Sequence, residues 1–199
     1  MSGLVSVLMN CCNGQEFVVE AIESVLAQTY KNWEIIFWDN ASTDDSAKIV
    51  QSYPDKRIRY FRGEKTIPLY SARNLALKEV RGEFIAFLDV DDLWTADKLG
   101  KQIPLFENKK VGLVFADTLF IKKDREVIKQ YYKHRGYKTG SCFKTLLEDY
   151  YLSLETVIIR KKTVEGFNPI FDDRFNHIGD ADLFRRISYY WELAMINEQ

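Results

Sequence analysis

SARNLALKEVRGEFIAFLDVDD, Ser71 to Asp92, is the stretch on which the fold turns. Ser71 to Val80 reads as a helix, and Gly82 is suited to ending one. FIAFL, Phe84 to Leu88, is short and almost continuously apolar, as a strand buried on both faces is. That strand runs into Asp89, Asp91 and Asp92, with only Val90 between them. Like charges so close repel, and they call for a partner cation or abundant water.

The same alternation extends outward in both directions. LVSVLM (4–9), WEIIFW (33–38), IRYF (58–61), LVFA (113–116) and TVIIR (156–160) read as further strands. EFVVEAIESVLAQ and DDSAKIVQSY read as helices, the second with Thr43 as its N-terminal cap. DADLFRRISYYW, from Asp180, reads as a late helix after a Gly, Pro and Asp-rich turn region, 166–173. Strands and helices in alternation imply an α/β fold with a mostly parallel, Rossmann-like central sheet flanked by helices. Ligands of such sheets lie beyond the carboxyl ends of the strands. Those ends are followed here by Asn10, by Asp39 and Asn40, and by the Asp89–Asp92 loop, so polar groups from three strands are expected at one edge.

Composition narrows the class. The 199 residues are 46% hydrophobic and 29% charged, with a net charge of −1, which suits one globular domain and gives no basic footprint for nucleic acid. No apolar run is long enough to span a bilayer and no signal-like N-terminus is seen, so a cytoplasmic protein is expected. Cys11, Cys12 and Cys142 show no disulfide pattern, and neither His134 nor His177 stands at zinc-ligand spacing from a cysteine pair. The charged run KKDREVIKQYYKHRGYK, 122–138, is expected to be a solvated excursion.

Clustered carboxylates on a loop are hard oxygen ligands for Mg²⁺ or Mn²⁺, which takes its remaining ligands from water and substrate phosphates. The alternative is an acidic turn whose Asp92 or Thr95 caps the next helix. No GxxxxGK[ST] occurs, and the first strand leads into NCCNGQE rather than GxGxxG, so phosphate must be gripped through metal and side chains.

Three segments together carry a resemblance to the family 2 glycosyltransferases of the GT-A fold. LVSVLMNCCNGQEFVVEAIESVLAQTYKNWEIIFWDNASTDDS resembles the family's opening nucleotide-binding segment. SARNLALKEVRGEFIAFLDVDD resembles its central segment, ending in the DxD motif. ETVIIRK with FNPIFDDRFNHIGDADLFRRIS is similar to the region that carries the catalytic base. The resemblance implies an inverting, metal-dependent transfer of a sugar from a nucleotide-diphospho-sugar donor, a UDP-sugar by preference. The acceptor would be a hydroxyl of a saccharide or glycolipid, in polysaccharide synthesis and at the cytoplasmic face of the membrane. It further implies one domain over 1–199, with a donor-binding half at 1–118 and an acceptor and base half at 119–199.

Residue by residue, the resemblance places Asn10, Asp39 and Asn40 around the nucleoside, Asp89 near ribose or metal, Asp91 on the metal, and Asp180 as the base. Arg73 is expected either at the nucleotide or in an ion pair with the acidic loop. Relatives usually carry two acids where this chain has Asp39-Asn40, a Thr-Tyr pair where it has Cys11-Cys12, and Glu-Asp where it has Gly179-Asp180. Asp182 reads as a helix-start residue, His177 as a surface residue and Trp94 as core. Family members usually continue past WELAMINEQ, so the expectation is either a minimal domain or a piece whose acceptor-binding elements or membrane-associating tail lie beyond it. Two other classes remain as alternatives: a sugar-nucleotide nucleotidyltransferase, and a non-catalytic domain that binds sugar nucleotides.

Overall fold

The computed structural model describes residues 3–122, 126–130 and 136–196. β1 (Val5–Cys11), β2 (Trp33–Asp39), β3 (Ile58–Arg62), β4 (Phe84–Phe87), β5 (Val111–Phe115), β8 (Ile158–Arg160) and β9 (Glu192–Met195) form one seven-stranded sheet in the order β3-β2-β1-β4-β8-β5-β9. β1 pairs in parallel with both β2 and β4, and β2 with β3. β8 is antiparallel to its neighbours β4 and β5, while β9 again runs parallel to β5. β8 is therefore the one reversed strand of a sheet that is otherwise parallel.

Alternate strand residues feed two cores. Val5, Val7 and Met9 of β1 point toward α1 (Val18–Leu26) and α2 (Ser46–Gln51), whereas Leu8 points toward α3 (Leu69–Leu77) and α6 (Gly179–Tyr190). α1 meets the sheet through Val18, Ala21, Ile22 and Val25, the i, i+3, i+4, i+7 stripe of an amphipathic helix. Each fully buried aliphatic side chain of this kind stabilises the fold by about 1.5–3 kcal/mol. α6 buries Leu183, Phe184 and Ile187 against the opposite face.

Several expectations are corrected. Thr43 is no helix cap: α2 begins at Ser46, and the side chain of Asn13, reaching across from the loop after β1, accepts hydrogen bonds from Thr43 N and Asp44 N. Asn13 manages this with a left-handed backbone, φ 59°. Gly82 does not end α3, which stops at Leu77. Glycine is needed there for close packing, because a β-carbon would lie 2.6 Å from the Leu4 carbonyl oxygen. Trp38, at the end of β2, is only partly buried.

The second half adds elements whose periodicity was too short to read. These are α4 (Lys98–Gln102), a 3-10 turn at Ile103–Glu107, α5 (Phe143–Glu148) and β9. The charged excursion contains part of a hairpin, β6 (Leu119–Ile121) with β7 (Val127–Gln130), which forms a separate two-stranded sheet. Val127 and Ile128 of this hairpin are exposed, as a solvated excursion requires. Its residues 123–125 and 131–135, His134 among them, lie outside the described residues.

Candidate functional site

The parallel arrangement brings the carboxyl ends of β1, β2 and β4 to one edge. Backbone hydrogen bonds from Asn40 N to Cys11 O (2.8 Å) and from Leu88 N to Leu8 O (3.0 Å) hold the three exits side by side. Gly14, in the loop after β1, packs so closely on Val90 that a β-carbon would meet Val90 Cγ2 at 2.8 Å. Val90 thus packs against the core while Asp91 beside it is exposed.

Asp89 receives one nitrogen of Arg73 on both carboxylate oxygens, at 2.7 and 2.8 Å. Arg73 is 3% exposed and its guanidinium also lies 5.6 Å from the ring centre of Tyr70 and 5.8 Å from that of Phe171. Of the two expectations for Arg73, the structure shows the ion pair. Asp91 is exposed and makes no hydrogen bond or ion pair among the described residues. Burial, with the charges of Glu155, Asp91 and Asp89 behind it, pushes Asp92 up to about 7. The loop therefore carries more negative potential than its surroundings neutralise.

Among the described residues no three His, Cys, Asp or Glu side chains converge to hold an ion by themselves. The available donor set is the unpaired carboxylate of Asp91 together with Asp89. That suits a hard divalent ion shared with a diphosphate, since Mg²⁺ commonly takes only one or two protein carboxylates.

The nucleoside candidates divide. Asp39 is 0% exposed: Ser42 N donates to Oδ1, and Tyr60 Oη and Arg62 Nη1 both donate to Oδ2. Asn40 clamps the loop before α3, donating from Nδ2 to Ile67 O and accepting from Ile67 N. Both residues shape the edge and are already committed within the chain. Asn10 differs, for it is 8% exposed and among the described residues its Nδ2 has no partner, nor has the indole nitrogen of Trp38, its register neighbour across β1 and β2. Buried N–H donors left unsatisfied at a strand exit are what a ligand's acceptor atoms would complete.

Asp180 stands in the first turn of α6, and Tyr70 donates a hydrogen bond of 3.3 Å to its Oδ1. α3 gathers this side of the site: Asn74 binds both backbone polar atoms of Phe171, and Ser71 donates to Asp173. Asp182 is taken by Arg186 one turn along the helix, so it does not accompany Asp180. His177 is exposed, as expected of a surface residue. Beside the start of α6 opens a cleft of about 550 Å³, lined by Asp172, Asp173 and Asp182 with Arg174 and Arg186.

Sequence reading missed Tyr70, Glu155 and Lys98. Tyr70 lies three residues before Arg73, which puts both on one helix face, a signal that was present. Glu155 and Lys98 gave none, because only the folded chain brings them to the acidic loop. Trp94, 8% exposed, donates to Glu155 O and covers the Lys98 ammonium at 4.2 Å. Its core role is confirmed. Burial, opposed by the charge of Glu155, lowers Lys98 to about 7.

Comparison with known proteins identifies the family and the fold. The model of the family described as "Glycosyl transferase family 2" matches residues 6–187. An uncharacterized glycosyltransferase of Rickettsia felis is 37% identical over 155 residues, 77% of this chain and 25% of that protein. The Escherichia coli UDP-Glc:alpha-D-GlcNAc-diphosphoundecaprenol beta-1,3-glucosyltransferase WfaP is 40% identical over 121 residues, 61% of this chain and 48% of its own length. Among solved structures, Staphylococcus aureus TarS 1–349 superposes with a TM-score of 0.76 at 22% identity, covering 98% of this chain and 58% of that one. The mannosyltransferase PcManGT of Pyrobaculum calidifontis gives 0.75 at 17% identity, covering 98% and 55%. The chain spans a quarter to a half of the length of the first curated relatives it matches. With the family matched over nearly its whole length, a parallel sheet of the GT-A kind and an acidic loop at that sheet's carboxyl edge, the chain belongs to glycosyl transferase family 2.

Proposed function

We propose that this chain transfers a sugar, with inversion, from a nucleotide-diphospho-sugar to a hydroxyl of a saccharide or lipid-linked acceptor. The observation that carries the reading is the continuity of one site: Asp89 is paired to Arg73, Arg73 packs on Tyr70, and Tyr70 is hydrogen-bonded to Asp180. Donor-side and base-side groups are thereby both held by side chains of one helix, α3.

In this reading Asp180 takes the proton of the attacking hydroxyl. The hydroxyl oxygen bonds to the anomeric carbon as the bond to the diphosphate breaks, its electron pair leaving on the nucleoside diphosphate. Asp91, with Asp89, would hold Mn²⁺ or Mg²⁺, which when bound supplies charge stabilisation for that leaving group. The unsatisfied nitrogen of Asn10 is offered to the nucleoside, with Asp39 and Asn40 supporting its surroundings. The cleft beside α6 receives the acceptor, which divides the chain into a donor half at 1–118 and an acceptor half at 119–199.

Support for UDP-linked donors comes from what relatives are named for. WfaP is named for UDP-Glc and a diphosphoundecaprenol-linked acceptor, and TarS is described in complex with UDP and with UDP-GlcNAc. PcManGT is described with GDP-Man and Mn²⁺. No helix among the described residues is long and apolar enough to cross a membrane. Work on the cytoplasmic side, at the membrane face where a lipid-linked acceptor would be met, belongs to the same proposal.

The test is a thermal-shift panel of UDP, dTDP, GDP and CDP with and without Mn²⁺, followed by transfer assays on Asp180→Asn. A ligand at a hundredfold excess over its Kd stabilises by about 2.7 kcal/mol, a clear shift. Metal-dependent stabilisation by UDP, and loss of turnover with retained UDP binding in Asp180→Asn, are expected. A melt indifferent to every nucleotide would overturn the reading. Retained turnover in Asp180→Asn would remove the base.

A further inference from the structure

We propose that Tyr70 is the positioning residue of the base, and that Tyr70 and Gly179 are complementary halves of one device. The proposal rests on Asp180 being the base. Gly179 occupies the position where relatives usually carry an acid. A β-carbon at 179 would lie 2.7 to 2.8 Å from three ring carbons of Tyr70, closer than side-chain atoms tolerate. The Tyr70 ring thus fills the place that a side chain at 179 would need. Nothing larger than glycine fits while the ring is there.

The ring is itself held. Tyr70 is 4% exposed and stacks on Phe171 with centroids 5.5 Å apart and planes 19° from parallel. Phe171 is fixed in turn by both hydrogen bonds to Asn74. From this position the hydroxyl donates to Oδ1 of Asp180, while Oδ2 accepts no hydrogen bond among the described residues. One oxygen is held and the other is left for the incoming hydroxyl. Burial, followed by the charge of Asp180, raises the Tyr70 phenol above its ordinary value, so the hydroxyl remains a donor through the neutral range. Tyr70 touches no reacting atom in this arrangement. It acts by fixing the direction of a partly exposed carboxylate that would otherwise swing at the helix start.

Orientation of a catalytic group is worth large factors when lost, about a hundredfold for a misplacement near 1 Å. A single donor that leaves packing intact accounts for a fraction of that. The experiment measures UDP release from UDP-glucose, with a synthetic short-chain lipid diphosphate bearing α-N-acetylglucosamine as acceptor. Tyr70→Phe keeps the ring and removes the hydroxyl; kcat should fall about tenfold, with donor KM and melting temperature unchanged. Gly179→Ala should lower both melting temperature and kcat, whereas in a Tyr70→Ser background, where the ring is gone, adding Gly179→Ala should cost no further melting temperature.

Wild-type kcat in Tyr70→Phe overturns the positioning role. Equal melting temperatures for Gly179→Ala and wild type overturn the complementarity. An active Asp180→Asn, or a wild type that releases no UDP, overturns instead the function on which the proposal rests. Asp180→Asn serves as the separate control.

Discussion

One guanidinium nitrogen of Arg73 bridges both carboxylate oxygens of Asp89, from a side chain that is buried to one that is half open. The two ends of this pair are therefore not equivalent. Asp89→Asn strands a cation in the core, whereas Arg73→Met leaves a carboxylate that water can reach. Leaving a buried charge unpaired costs about 3–5 kcal/mol. Asp89→Asn is expected near the lower end of that range in urea unfolding, and Arg73→Met at clearly less. Equal losses would mean that the pair is not asymmetric in solution.

Asp91 separates binding from stability. Its carboxylate is exposed and partnerless among the described residues, so Asp91→Asn should change unfolding free energy by no more than about 0.5 kcal/mol. The Mn²⁺-dependent part of the UDP thermal shift should disappear. Retention of that shift in the variant would move the ion elsewhere.

At the opposite end of the strands lies a purely structural carboxylate. Ser6 Oγ (2.6 Å) and Arg81 N (3.0 Å) donate to Glu34 Oε1, and Arg59 donates to Oε2 at 3.0 Å. Ser6 in turn accepts from Gly82 N, tying β1, β2, β3 and the turn before β4 together. Glu34→Ala is expected to cost about 2 kcal/mol, because Ser6 Oγ and Arg81 N lose their acceptor and Arg59 is left with Glu79 alone. UDP affinity should be unchanged once the variant is folded.

Lys98 supplies a pH signature. Its folded value, about 7, lies below its unfolded value, so between pH 7 and about 10 the unfolded chain holds a proton that the folded chain does not. Stability should rise with pH across that window and be flat on this account below it. At about 1.4 kcal/mol per unit, the rise from pH 7 to 9 is on the order of 2 kcal/mol. Lys98→Met should be more stable than wild type at pH 6, with the difference shrinking toward pH 10. A constant difference across that range would show that Lys98 keeps its proton in the fold.

The alternation of buried strands with amphipathic helices, and the delivery of Asn10, Asp39 and Asp89 to one edge, were legible along the chain. Each follows from short-range periodicity and from the rule that parallel strands share an exit edge. Asp91 and Asp180 were proposed through their motifs. The local sequence could not show that Asp39 and Asn40 spend their polar atoms inside the protein, since Tyr60, Arg62 and Ile67 reach them only after β3 and its loop have docked. The reversal of β8 was equally hidden, because an apolar run of three to five residues looks the same in either direction. Gly179 read as a missing acid until the ring of Tyr70, 109 positions earlier in the chain, was seen to occupy its space. Sequence by itself determined the main strands and the longer helices, and the edge where polar groups collect, because those depend on neighbours in the chain. Which of those groups stay free for a ligand was decided only by tertiary structure, because hydrogen bonds and excluded volume are settled between residues that folding alone brings together.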